Sequence, residues 1–554
     1  MGNRPNSWLA SPIPVMGLLL IGLVLRLAGA SAYWQWFDRE HPGVWEKSKL
    51  DVSQDASQYI QQADPGTWAS PLHRGWSDQA FFRPPLPSYT FVGLFRACHF
   101  NRMMVSAIQA VLASIAYFLL FISAQKVFGR GIALITLAAA ALHPLLMFYD
   151  TSFEDSTLAL FLLSATVFSA LWARDGRALR WLLPGTAAGL MILARPSLFL
   201  VLLGVAGLIV SWAAGSRMKA LAAFLTPVAC LLAPVVWHNH AASGRWVAVT
   251  DTAGQNLYWG NNPFPDYQVS IQGYWNILQV DRGIPADFLT QSLKARTGQS
   301  SPDPAFMAEA MGFLKAHPGK AIAGVFHKAW RHLSNYEIPR NNNFANLREH
   351  VLLWRLPFLP FSILLLLAIL GSLGMDKRKA WLFLLPWLAA LFSEVVFFNA
   401  SRYRALCVPF LLPFAIRALQ MAGAAVKRRS WRGLATGAAA VVLATVLGET
   451  AVSSGERTRY LAADHFKDAM LESYAAEDGS WRRFSEENFR RSLELARRMD
   501  PDNLDAFVIE QKLLLDEGKN SQALAAIDAR EARCRPGEWL CQDICGYLRG
   551  MLGQ

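Results

Sequence analysis

What most constrains this chain is the repeated return of apolar runs close to the length of a bilayer crossing. The first covers residues 12–32 and contains a single charge, Arg26. Others follow at about 102–124, 131–149, 155–172, 181–194, 197–213 and 219–237. After a long polar interval come 351–371, 380–397, 405–422 and 433–450. A helix needs roughly 20 apolar residues to cross the hydrocarbon core. The pattern therefore predicts a polytopic α-helical membrane protein with about 11 transmembrane helices. A buried soluble helix can be as apolar as any one of these runs, but not all of them in one chain. The first run is too long and too poorly flanked for a cleaved leader.

Charge placement predicts sidedness. With the N-terminus and Arg4 in the cytoplasm, alternation makes five short linkers cytoplasmic. They carry Lys126 and Arg130; Arg174, Arg177 and Arg180; Arg217 and Lys219; Lys377 to Lys379; and Lys427 to Arg429 with Arg432. Short basic cytoplasmic loops are what the positive-inside rule expects. The net charge of +12 is then mostly topology, and no folded basic domain remains to bind nucleic acid. The expected location is a bacterial inner membrane, with the polar loops 33–101 and 238–350 and everything after 450 on the periplasmic side. Two domains are expected: 1–450 in and on the membrane, and 451–554 outside it.

Loop 33–101 opens with Trp34, Trp36, Phe37 and Trp45, an interfacial aromatic belt. Asp51 and Asp55 follow. On a helix beginning near Asp55, Tyr59 would share its face. Phe81 to Pro87 includes Arg83 and three prolines, a rigid extended segment. Residues 86–98 are apolar but too short to span, and read as an interfacial helix.

The second external turn, Phe148 to Asp155, carries Asp150, Glu154 and Asp155. Charges at the hydrocarbon boundary are costly and usually have a use, though a solvated helix start with Asp150 or Ser152 as cap is also open. Arg195 precedes Pro196 just under the external surface, placed for a phosphate, for these carboxylates, or for snorkelling.

The large loop opens with His238 and His240, which invite a metal reading. Gly244 to Val249 reads as a strand, so the external loop domain is expected to be mixed. Tyr258, Trp259, Asn261 and Asn262 combine aromatic faces with amides, as sugar sites do. Residues 301–333 read as one or two amphipathic helices. Glu337 adds a carboxylate, with basic residues nearby suited to an anionic lipid head. Arg402, Tyr403 and Arg404 form a late external turn whose arginines oppose the positive-inside trend, with phosphate the natural partner and Glu394 a possible counter-charge. After residue 456 the chain is charged and helix-forming, with a helix, Asp-Pro-Asp-Asn, helix order that looks like a degenerate tetratricopeptide repeat. Cys534, Cys541 and Cys545 cluster there, where a disulfide is permitted.

No nucleotide-binding glycine motif stands in a suitable context, and the cytoplasmic loops are tiny. External acids beside arginines suit a membrane-anchored phosphate donor. A carboxylate would take the acceptor's proton and arginines would stabilise the departing phosphate.

Asp55 with Tyr59, Arg83 to Leu86, Glu154, Gly260 to Pro263 and Arg402 to Arg404 occur in an order and on one side that resemble the membrane glycosyltransferases of the GT-C superfamily. The nearest branch is that of the protein mannosyltransferases and lipid A aminoarabinose transferases. The resemblance covers roughly residues 12–422. It implies an inverting glycosyltransferase with a polyprenyl-phosphate sugar as donor and an envelope lipid, glycan or protein as acceptor. It implies Asp55 as general base, Glu154 or Asp155 as orienting groups, and Arg402 or Arg404 at the phosphate. It leaves the cofactor open between none and a divalent cation, Mg or Mn, with Asp55 and Glu154 as ligands. A protein partner through the tail is a further expectation. A transporter or flippase, or an assembly scaffold, is the competing class; no inverted repeat with broken helices is evident.

Overall fold

The computed structural model describes residues 11–48, 59–60, 80–212, 216–262, 288–299, 301–474, 485–502, 504–534 and 539–552. Six helices are long and apolar enough to cross a membrane. They are α1 (Ile13–Glu40), α3 (Arg102–Phe128), α6 (Ser156–Ala173), α9 (Arg217–Ser243), α14 (Lys377–Val396) and α15 (Val408–Lys427). Between α1 and α3 lies α2 (Pro85–Ala97), at the place expected of an interfacial helix. A seventh crossing results if α16 (Trp431–Thr450) and the start of α17 (Ser454–Tyr474) count as one span bent by 50°. The protein is thus a polytopic α-helical membrane protein, but among the described residues six or seven helices, not eleven, have the length of a full span.

The shortfall has a local cause in proline. Run 131–149 is cut at Pro144 into α4 (Arg130–Leu142) and α5 (Pro144–Tyr149), with His143 extended between them at ψ 114°. Pro196 separates the short α7 (Leu182–Ala194) from the short α8 (Phe199–Trp212), and Pro360 delays α13 (Phe361–Ser372). The residue before a proline is pushed out of helical geometry, so these runs supply short apolar helices.

The main apolar core gathers α3, α6, α7, α8, α13, α14 and α15. Large apolar side chains such as Leu20, Val24, Val111, Leu203 and Leu443 stay exposed, which suits a bundle facing lipid. A polar group centred on Arg26 is folded into the membrane part. Arg26 of α1 is 1% exposed and bonds Asp150 at 2.8 Å, and Tyr117 of α3 donates to the same carboxylate at 2.7 Å. Arg26 also donates to the carbonyls of Gly22, Ala140 and Ala141. A buried charge so fully bonded reads as a brace between α1, α3 and the acidic turn.

The external material is helical. It includes α10 (Ala253–Gly260), α11 (Pro302–Ala316) and α12 (Pro318–His332). Residues 244–249 are irregular, and no strand occurs among the described residues. The expected strand gives way because Asn239, fully buried, takes the segment's hydrogen bonds. Its amide donates to Val247 and Val249 at 3.1 Å each, and its oxygen accepts the Phe81 amide at 2.8 Å.

Beyond α17 the tail contains α18 (Ser485–Met499), α19 (Leu504–Asp516), α20 (Asn520–Glu531) and α21 (Trp539–Met551). The expected turn at Asp500 is present, but these helices do not establish a tetratricopeptide repeat. Cys534 and Cys541 are disulfide-bonded, and Cys545 is a buried free thiol beside them. The tail meets the rest in a shared apolar cluster, where Leu493 and Leu504 join Tyr258 and Phe306, and along one stripe of α17. Glu456, Tyr460 and Asp464, spaced by four, meet Arg331 (2.6 and 2.5 Å for the first two) and Asn343 (2.7 Å). Tyr460 also stacks on Tyr336.

Candidate active site

A cavity of about 500 Å3 opens among the external segments. Two X-Pro steps deliver arginines to it. Arg83 precedes Pro84 and Pro85, and Arg195 precedes Pro196. Arg195 has φ −150° and ψ 92°, so the chain leaves the helix there and the guanidinium stands at its end. Arg402 and Tyr403 come from the short helix Ser401–Ala405, and Tyr59 from the first loop. Tyr59 is held by stacking on Phe91 of α2 at 5.0 Å. The Tyr403 ring lies against both Arg195 (5.3 Å) and Arg402 (5.5 Å).

The acidic turn separates its three carboxylates. Asp150 is committed to Arg26 and Tyr117. Asp155 stands at the N-cap position of α6 without capping it. Its side chain faces the cavity and lies 3.4 Å from Arg195. Glu154 is buried beside the cavity, where it accepts from Asn342 at 3.1 Å. Asn341, one residue earlier, lines the cavity itself. Asp55, the expected base, lies outside the described residues, as does Asp51; the described chain resumes at Tyr59.

Other expected site residues have different surroundings. Arg404 is 1% exposed. It donates to Glu337 at 3.0 Å and to the carbonyls of His332, Ser334 and Tyr336 at 3.1, 2.5 and 3.1 Å. Both residues of that pair are thereby used in holding 332–337. Tyr258 is fully buried against Phe306. Trp259 lines the cavity, but the Arg340 guanidinium sits 4.0 Å over its ring. Asn261 donates to Leu257 and Val396 carbonyls at 2.9 and 2.8 Å, and Asn262 to Tyr258 at 2.9 Å. Glu394 pairs with His332 at 2.9 Å and accepts from Asn399, with no arginine between.

The Gly-Asn-Asn stretch is fastened to the end of α14 by a residue the sequence reading passed over. Lys328, 1% exposed, donates to Asn261 Oδ1 at 3.0 Å and to the carbonyls of Gly260 and Phe397 at 3.2 Å each. Burial pulls its ammonium down to about 8. A β-carbon on Gly260 would overlap the Phe397 carbonyl, so this close approach needs glycine. Arg245, Arg340, Gln255 and Asp303 also line the cavity and were not singled out. Arg245 pairs with Asp251. No short motif marks any of them; only their joint arrival at one cavity does.

The metal readings fare differently. His238 packs on Phe81 at 4.5 Å, and His240 stacks on Trp246 at 4.0 Å. Among the described residues, the three tail cysteines alone form a cluster of three or more ligand-type side chains, and two of them are joined. Glu154 and Asp155 do not supply the six or more oxygens typical of a hard-cation shell, and Asp155 already faces a guanidinium.

Residues 82–238 match the family model of the dolichyl-phosphate-mannose-protein mannosyltransferases. Over that segment the chain is similar to that family. The segment holds Arg83, Glu154, Asp155 and Arg195. No curated protein sequence matches the chain. Among solved structures it is similar to ArnT from Cupriavidus metallidurans bound to undecaprenyl phosphate. The identity is 14% and the TM-score 0.39, over 95% of this chain and 82% of that one. It is also similar to the archaeal oligosaccharyltransferase AglB from Archaeoglobus fulgidus, in complex with an inhibitory peptide and a dolichol-phosphate. There the identity is 13% and the TM-score 0.39, over 86% of this chain and 59% of that one. The apo oligosaccharyltransferase of the same organism gives 12% and 0.41, over 86% and 59%.

Proposed function

We propose that this chain is an inverting glycosyltransferase that moves a sugar from a polyprenyl-phosphate donor to an envelope lipid, glycan or protein. The observation that carries this reading is the convergence of Arg83, Arg195 and Arg402, from three distant segments, on one cavity with Asp155. A mannosyltransferase family match runs through two of the three. Three guanidinium groups suit a phosphate that gains charge as its bond to the sugar breaks.

In the proposed reaction the acceptor hydroxyl or amine attacks the anomeric carbon from the face opposite the phosphate. The bond from that carbon to the phosphate oxygen breaks, and its electron pair leaves with the polyprenyl phosphate. Asp55 takes the acceptor's proton. Arg402, Arg195 and Arg83 hold the phosphate, Asp155 fixes the Arg195 guanidinium, and Glu154 fixes Asn342. Arg404 and Glu337 keep the wall in place rather than meeting the donor. The domain division is membrane domain 1–450 and helical tail 451–554, with the short apolar helices completing the GT-C-like core. The cavity would lie on the periplasmic face and the N-terminus in the cytoplasm.

The test has two arms. Cells lacking the protein should accumulate the lipid-linked sugar, read from extracted lipids. Purified Asp55→Ala protein should lose transfer while keeping its expression and unfolding midpoint; intact transfer by that variant would remove Asp55 as base.

A further inference from the structure

The cavity has two chemically different linings. One is the arginine side already described. The other comes from α10, where Thr252, Gln255, Asn256 and Trp259 follow the i, i+3, i+4, i+7 spacing of one helical face and all line the cavity. The opposite face packs: Gly254 lies against the backbone at Asp303, and Tyr258 is buried. Arg340 covers the Trp259 ring, so this face offers the cavity amides rather than a stacking surface.

Gln255 stands out on it. It is 4% exposed, and its Nε2 has no hydrogen-bond partner among the described residues. A buried amide donor left unpaired is a standing cost to the fold, and such groups ask for an explanation. Asp303 lines the same side and accepts the backbone amide of Gln255 at 3.0 Å. That bond helps satisfy the start of α10 and accounts for the aspartate. It does not account for the Gln255 side chain. Burial raises the Asp303 carboxyl and nearby Asp251 adds to the rise, while the Gln255 amide opposes it.

A side chain amide that must donate, beside carboxylates that accept, matches neighbouring hydroxyls on a sugar ring. Each hydroxyl can accept one hydrogen bond and donate another. An acyl chain satisfies neither group, and the Asp303 carboxylate disfavours a phosphate beside it. We propose that Gln255, with Asn256 and Asp303, forms the subsite for the hydroxyl-bearing ring of the donor sugar. The protein then reads the glycosyl head as well as its phosphate carrier. This rests on the reading of the cavity as the donor site.

The experiment measures binding to purified full-length protein in lipid nanodiscs. The probes are a short-chain polyprenyl phosphate and the same lipid carrying mannose, glucose or galactose. Wild type should bind at least one glycosylated lipid more tightly than the bare one. Gln255→Leu should lose about threefold to tenfold in affinity for that lipid, the share of one neutral hydrogen bond, with bare-lipid affinity unchanged. Gln255→Met, which keeps the length without charge but removes the Nε2 donor, should show the same selective loss and guards against misfolding of the leucine variant. Wild-type binding of the glycosylated lipid by both variants overturns the subsite. So does equal weakening toward bare and glycosylated lipid, or no added affinity from any of the three sugars. Failure of wild type to bind the bare lipid is a different result: it removes the donor-phosphate reading, and the subsite falls with it.

Discussion

Arg402 and Arg404 stand two residues apart in one short helix, yet Arg402 lines the cavity while Arg404 is buried in an ion pair with Glu337. The two should therefore separate cleanly on substitution. Arg404→Ala leaves Glu337 and three carbonyls without their donor and should destabilise the protein by about 3–5 kcal/mol, as for other broken buried pairs. Arg402→Ala should leave the unfolding midpoint close to wild type and weaken donor binding by about tenfold, the scale of a charge-assisted hydrogen bond. Thermal unfolding and donor titration on both variants check this. A stable Arg404→Ala protein with a selective donor defect would reverse the two roles.

Gly260 should not tolerate a side chain. Gly260→Ala places a methyl group on the Phe397 carbonyl, so α10 and the end of α14 must part. A loss of about 1–3 kcal/mol or more is expected for forced overpacking, read as a lowered midpoint. Gly244, at φ 68° with open space around it, is the comparison site, where alanine meets backbone strain alone.

Lys328 gives a pH signature. Its folded value of about 8 lies below the ordinary 10.5. Between those values the unfolded chain binds a proton that the folded chain has released. Stability contributed by this group therefore rises with pH from about 8 to 10.5 and is flat below that window. Midpoints measured across the range should climb more steeply in wild type than in Lys328→Met. Parallel profiles would show that Lys328 keeps an ordinary value.

The α17 stripe predicts that the tail matters to donor use. Glu456, Tyr460 and Asp464 hold residues 331–343, which carry the cavity residues Arg340 and Asn341 and the Glu154 partner Asn342. Tyr460→Ala with Asp464→Ala should raise the donor KM several-fold while the protein stays folded. An unchanged KM would confine the tail to a separate role.

The helical, multi-pass character of the chain was legible because apolar run length is a strong signal. The number of full spans was not, because Pro144 and Pro360 interrupt runs that hydropathy alone reads as continuous, and the runs on either side of Pro196 form helices of only 13 and 14 residues. At the cavity, Arg195, Asp155 and Arg402 were legible from charges placed where lipid makes charge expensive, and Arg83 from the motif that carries the family resemblance. Arg404 and Glu337 carry the same signal, and only the surrounding carbonyls reveal their bracing role. Gln255, Lys328 and Asn239 gave no sequence signal. Their importance lies in bonds made, or left unmade, across distant segments.

The Arg26–Asp150 pair has a consequence for how the protein is made. α1 enters the membrane carrying an arginine at a depth where such a charge costs roughly 2.5–3.5 kcal/mol on insertion scales. Its counter-charge lies 124 residues further along the chain, and Tyr117 arrives in between on α3. The pair can close only after the acidic turn has been synthesised, so the bond that satisfies Arg26 in α1 is the same one that fixes the turn carrying Glu154 and Asp155.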